Sequence, residues 1–92
     1  MVNAFILLKV TRNRINEVAE ELTHIPGVTE TYSVAGNYDL ITVIRVKSNE
    51  ELADIVTGKM LKIEGIIASE THIAFRVYSK YDLDRIFSIG TE

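Results

Sequence analysis

The sequence predicts an α+β protein of the ferredoxin-like type. The expected order is βαββαβ, a four-stranded antiparallel sheet with both helices on one face. Three observations predict it. First, a half-domain is written twice: Ile25-Pro26-Gly27-Val28 is echoed 38 positions later by Ile63-Glu64-Gly65-Ile66, and the same offset carries Val18 onto Val56 and Leu22 onto Met60. Second, in each copy an apolar helical stripe runs into a glycine and then into a strand of threonine, serine and β-branched residues. Third, the halves meet at Gly36-Asn37-Tyr38-Asp39, a link short enough to make the flanking strands an antiparallel hairpin.

Each element follows from local pattern. Val2 to Val10 is nearly all apolar and reads as a strand, with Ala4, Ile6, Leu8 and Val10 on one side and Asn3, Phe5, Leu7 and Lys9 on the other. Two apolar sets mean that both faces are covered. Arg14 to His24 is an amphipathic helix: Ile15, Val18, Ala19 and Leu22 fall at helical spacing, and Glu17, Glu20 and Glu21 take the wet side. Thr11 or Asn13 is positioned to cap it, and Pro26-Gly27 ends it. Val28 to Ala35 and Leu40 to Lys47 are the second and third strands, turned by Gly36 to Tyr38. Ser48 followed by Glu51 is a capping-box pattern opening a second helix. Its stripe is Leu52, Ile55, Val56, Met60 and Ile63, and Gly58 within it costs roughly 1 kcal/mol against alanine. Gly65 ends that helix, Ile66 to Tyr78 carries the fourth strand, and Asp82 to Phe87 is a candidate short terminal helix.

Ninety-two residues make one small domain, residues 1–92, with no room for a second core. The 47% hydrophobic and 25% charged content are globular values. A core this small gains burial by self-association. With the helices on one face, Phe5 and Leu7 form an exposed patch on the other, and stacking two sheets into a homodimer covers it. The net charge of −3 and pI near 5.3 exclude a basic nucleic-acid surface. The absence of cysteine excludes disulfides and thiolate metal sites and suits a cytoplasmic protein. No apolar run approaches the roughly 20 residues that span a bilayer, and the N-terminus lacks the pattern of a signal peptide.

The ordered set Ile25-Pro26-Gly27-Val28, Gly36-Asn37-Tyr38-Asp39-Leu40, and Gly65-Ile66 followed by Ser69, Thr71 and the apolar run to Val77 resembles the ligand-binding half of the Lrp/AsnC transcription regulators, the RAM domain. The likeness runs from Phe5 to about Tyr78. Regulators of this family begin with a helix-turn-helix, and this chain starts at the first strand of the sensor domain, so it looks like a stand-alone RAM protein without direct DNA binding. The resemblance implies dimers assembled into rings of four or five dimers, an octamer or decamer, with amino-acid effectors in clefts between dimers. With no DNA-binding domain in the chain, the signal is expected to run through mixed oligomers with full-length family regulators, and no cofactor is expected. Carried over by position, the effector site is Gly36, Asn37, Tyr38 and Asp39, with Ser69 and Thr71.

The chemistry of those residues fits a zwitterion. Asp39 can accept from an ammonium, and a glycine-containing turn can aim backbone N–H groups at a carboxylate. Ser69 and Thr71 are two apart, so both hydroxyls face one side of the strand. Tyr38 can wall the cleft. The same turn is also what any hairpin uses. Glu70 and His72 share the opposite strand face, and with no third partner at a persuasive spacing they read as an exposed or interfacial pair rather than a catalytic or metal site.

Three alternatives carry different signatures. A cofactor-free dimeric ferredoxin-like oxygenase or isomerase needs polar catalytic residues between sheet and helices, and the inward sets of the four strands are mainly apolar. An ACT-like regulatory module places its ligand near the loop after the first strand, where Thr11-Arg12-Asn13 has no glycine. A ligand-free adaptor would keep the fold and respond to no small molecule.

Overall fold

The computed structural model describes residues 1–80. The strands are β1 (Val2–Val10), β2 (Val28–Ser33), β3 (Leu40–Val46) and β4 (Ile66–Ile73), with α1 (Ile15–Thr23) and α2 (Asn49–Ala53) between them. They form one antiparallel sheet in the order β2-β3-β1-β4, the arrangement expected of the ferredoxin-like fold. The candidate helix at Asp82 to Phe87 lies outside the described residues.

The alternation read in β1 holds. Ala4, Ile6, Leu8 and Val10 are buried, and Phe5 and Lys9 are exposed. Direct pairing puts Leu8 opposite Leu40, Ala4 opposite Ile44 and Val2 opposite Val46, so these side chains share one face. Val18 and Leu22 of α1, with Leu52, Ile55 and Met60 of the second helix, close the core over them. Thr42 is the one buried polar residue among the described residues, and its hydroxyl meets that of Thr31 at 2.9 Å.

Both halves end their helix the same way. Gly27 and Gly65 have φ of +98° and +109°, a conformation that leaves no easy place for a Cβ. The repeated glycine is therefore a backbone requirement of turning from helix to strand.

Several boundaries differ from the sequence reading. α1 starts at Ile15 after a short 3₁₀ turn, Arg12–Arg14, and no side chain caps it. Thr11 instead ties the start of that turn to the other half of the repeat, its N–H and Oγ1 both reaching the Gly65 carbonyl, at 2.8 and 3.2 Å. β2 and β3 stop at Ser33 and Val46, one or two residues short of expectation. β4 stops at Ile73 rather than Tyr78. Its last bond is from Ala74 N–H to Asn3 O, and Phe75, Val77 and Tyr78 run on exposed. Strand propensity without a paired neighbour does not make a strand.

The second helix departs most. Its predicted capping box forms: Glu51 N–H donates to Ser48 Oγ, and the Glu51 carboxylate accepts from Lys47 N–H. After Ala53, however, Asp54–Lys59 is π-helical and Met60–Lys62 is 3₁₀. In an α-helix Ile55 and Met60 would lie roughly 140° apart. The wider i→i+5 turn brings residues five apart onto nearly the same side. Both Ile55 and Met60 accordingly reach the core.

Candidate functional site

The turn is built by its two ends. Val34 N–H donates to Asp39 O, and Asp39 N–H donates to Leu8 O at 2.8 Å. The second bond extends the β3 ladder past Leu40 along β1. The Asp39 carboxylate then accepts from Val10 N–H, also at 2.8 Å, doing what the next backbone carbonyl of a longer strand would do. One of the two carboxylate oxygens is thus engaged inside the protein. Gly36 has φ of +118° and, like Asn37, is exposed, so the turn's tip projects from the sheet.

Ser69 and Thr71 pair directly opposite Leu8 and Ile6. They therefore belong to the helix-facing side of β4, with both hydroxyls on one side as expected. They are nonetheless exposed, because α1 packs over β2 and β3 and α2 over β3, leaving edge strand β4 uncovered. Ser69 and Thr71 on β4, with Thr31 and Ser33 on β2, make the inward sets of the two edge strands more polar than the mainly apolar sets expected. Ser69 and Asp39 bracket Leu8 from opposite sides of β1, about two strand spacings, or roughly 10 Å, apart.

Tyr38 goes elsewhere. Its phenol lies beside Glu70, on the open face of β4, away from the helices. Glu70 in turn meets His72 Nε2 at 2.6 Å. The Tyr38 phenol is raised, first by partial desolvation and then by the nearby Glu70 carboxylate. The Glu70 carboxyl is lowered, chiefly by its hydrogen bond to His72 and also by the Tyr38 phenol, against an opposing desolvation. The six predicted residues consequently divide. Gly36, Asn37, Tyr38 and Asp39 form one turn, Ser69 and Thr71 line the helix-side edge, and the Tyr38 side chain lies on the other face near the Glu70–His72 pair. The Glu70–His72 pairing was legible from its spacing of two; the arrival of Tyr38 was not. Among the described residues no third His, Cys, Asp or Glu joins that pair to make a metal cluster.

A cavity of about 420 Å³ opens at the far end of the sheet, beside Pro26, Gly27, Val46, Asp54, Ile55 and Lys59, and contains none of the six.

The Asp39 geometry predicts a stability effect independent of any ligand. Asp39→Ala leaves the part-buried Val10 N–H without its acceptor and should cost about 1–3 kcal/mol in urea unfolding. Asp39→Asn retains an amide oxygen there and should cost clearly less. Equal losses would count against the hydrogen bond as the stabilising contact.

The described residues thus form a ferredoxin-like sheet with an exposed turn and an edge strand that no helix covers. The sequence comparisons supply the family. Residues 3–83 match the family model described as the Lrp/AsnC ligand binding domain. The chain belongs to the Lrp/AsnC ligand-binding-domain family. It is 36% identical over 77 residues to the HTH-type transcriptional regulator FL11 of Pyrococcus furiosus, an alignment covering 84% of this chain and 50% of that protein. The chain thus spans about half the length of the curated relatives it matches. Among solved structures, TTHA0845 from Thermus thermophilus superposes with a TM-score of 0.82 at 42% identity, covering 87% of this chain and 100% of that one. PHS023 from Pyrococcus horikoshii does so with a TM-score of 0.78 at 34% identity, covering 88% and 98%. Among the described residues no helix is long and apolar enough to cross a membrane.

Proposed function

We propose that this protein is an oligomeric amino-acid sensor in transcription regulation or amino-acid metabolism. In this reading it is a non-enzymatic, cytoplasmic protein whose RAM domain is the sensing unit. The observation that carries the reading is the family match across residues 3–83, with relatives that are transcriptional regulators. Coverage of 100% and 98% of two solved chains supports the RAM domain as a self-contained folding unit.

The site is the Gly36–Asp39 turn together with the uncovered Ser69 and Thr71 edge. The two parts lie too far apart for one side chain to bridge, which suits a cleft completed by a neighbouring dimer in a ring. The free Asp39 oxygen takes the effector's ammonium, and Gly36 and Asn37 N–H groups take its carboxylate. Binding between dimers stabilises one assembly over another, and the coupling runs both ways. Mixed assembly with full-length regulators would carry the signal to DNA.

The test is a thermal-shift panel of the common amino acids on the wild type and on Asp39→Asn. A ligand at a hundred times its Kd adds about 2.7 kcal/mol, or roughly 11–22 °C for a domain this size. A selective rise that Asp39→Asn abolishes is expected. Asparagine is the informative replacement because it spares the Val10 contact while removing the charge. No rise with any amino acid would overturn the sensor and favour a ligand-free adaptor.

A further inference from the structure

The open face of the sheet has an order that its pairing register makes explicit. One row across the four strands reads Glu30, Val43, Phe5, His72. The next reads Tyr32, Ile41, Leu7, Glu70. Each has an apolar centre and polar ends of unlike character. Phe5 and Tyr32 are 42% and 49% exposed, so the patch meets solvent in the single chain.

A two-fold axis lying between two such sheets and parallel to the strands reverses each row without shifting its level. Val43 then meets Phe5 of the partner subunit, and Ile41 meets Leu7 of the partner subunit. At the ends, Glu30 meets His72 of the partner subunit, and Tyr32 meets Glu70 of the partner subunit. The surface is complementary to itself in both hydrophobicity and charge, and a second copy is therefore the occupant it fits. An aligned packing angle of roughly 30° displaces the edge strands by about one residue, within reach of a glutamate side chain.

We propose that two copies stack through this face with Glu30 of each against the Glu70–His72 pair of the other, and that protonation of His72 strengthens the contact. This rests on the dimeric reading above and adds its register and its control. With His72 charged, one imidazolium serves two carboxylates in the closed interface. With His72 neutral, Glu30 and Glu70 are brought together and desolvated without a cation between them. His72 thus gains partners on association, so the added affinity is present below the imidazole range and lost as pH rises through it. Glu70, held low by its present partners, stays ionised across that window. The other titratable groups that the pairing puts on this face are Tyr38 from the turn, Tyr32 on β2, Lys9 on β1 and Arg45 on β3. The helices pack on the opposite face and contribute none.

The experiment is sedimentation equilibrium of the full chain at about pH 5.5 and about pH 8. The wild-type dimer should be roughly tenfold or more tighter at the lower pH. His72→Gln should reduce that ratio to about twofold or less, and Glu30→Gln should shrink it. Both positions are on the surface, and circular dichroism will verify that the variants fold. Leu7→Arg, in the apolar centre, should give monomers at both pH values. A wild type that is monomeric throughout, or a Leu7→Arg variant that dimerises normally, overturns the sheet-face interface itself. A dimer whose affinity is the same at both pH values, or whose pH response survives His72→Gln, overturns the proton linkage alone. An unchanged response in Glu30→Gln overturns the two-fold register.

Discussion

Ile6→Ala is expected to remove about 2–5 kcal/mol of folding stability, whereas Leu7→Ala, one residue along, should remove under about 1 kcal/mol from the isolated chain. Ile6 is fully buried in β1, between Thr42 on β3 and Thr71 on β4, and under the helices. Truncation there loses the transfer energy of the missing methylenes and leaves a cavity that β1, paired on both sides, cannot collapse to fill. Leu7 points to the open face, where truncation leaves no enclosed void. A domain of this size has roughly 5–14 kcal/mol in total, so the Ile6 variant should be near its limit. Urea unfolding at low protein concentration separates the two, with a shift in midpoint at constant slope for Ile6→Ala. Similar losses at both positions would mean that the open face is covered within the single chain.

The second large effect is at Gly27. A Cβ built there would lie 2.9 Å from both Ile55 Cδ1 and Val46 Cγ1, in a backbone with φ of +98°. Two costs combine: about 1–2 kcal/mol for a left-handed L-residue and about 1–3 kcal/mol for overpacking against the core. Gly27→Ala should therefore lose about 2–5 kcal/mol. Gly36→Ala is the control. Its φ is +118°, yet nothing lies within 4 Å of the built Cβ, so only the backbone cost of about 1–2 kcal/mol applies. Equal losses at the two sites would show that Ile55 and Val46 yield freely. The same comparison bears on function, because Gly36 stands in the proposed effector turn and Gly27 does not.

These two predictions concern positions where sequence and structure agree on what is required. The site was less legible. The turn Gly36–Asp39 announced itself through residue types that few other local structures use, and the hydroxyls of Ser69 and Thr71 fell on one side because strand alternation is strict. That Asp39 would spend one oxygen on Val10 could not be read, since the partner is 29 residues away and defined only by how β1 and β3 run out of register with the turn. Tyr38 could have walled a cleft on either face; the Glu70–His72 pair across the sheet decided it.

The sequence by itself determined the order of elements, the two faces of β1, the second helix's capping box and the glycine that ends each helix. All of these are local: a period of two, a period near four, or a backbone angle that one residue type tolerates. Tertiary structure alone decided that Asp54–Lys59 would widen into a π-helix, that β4 would end at Ile73, and that its polar inward edge would stay uncovered. Each of those depends on a neighbour. The helix widens so that both Ile55 and Met60 reach the same core, a strand ends where its partner's hydrogen bonds end, and an edge is exposed where no helix lies above it. Such outcomes are set by which distant groups meet, and periodicity carries no record of that.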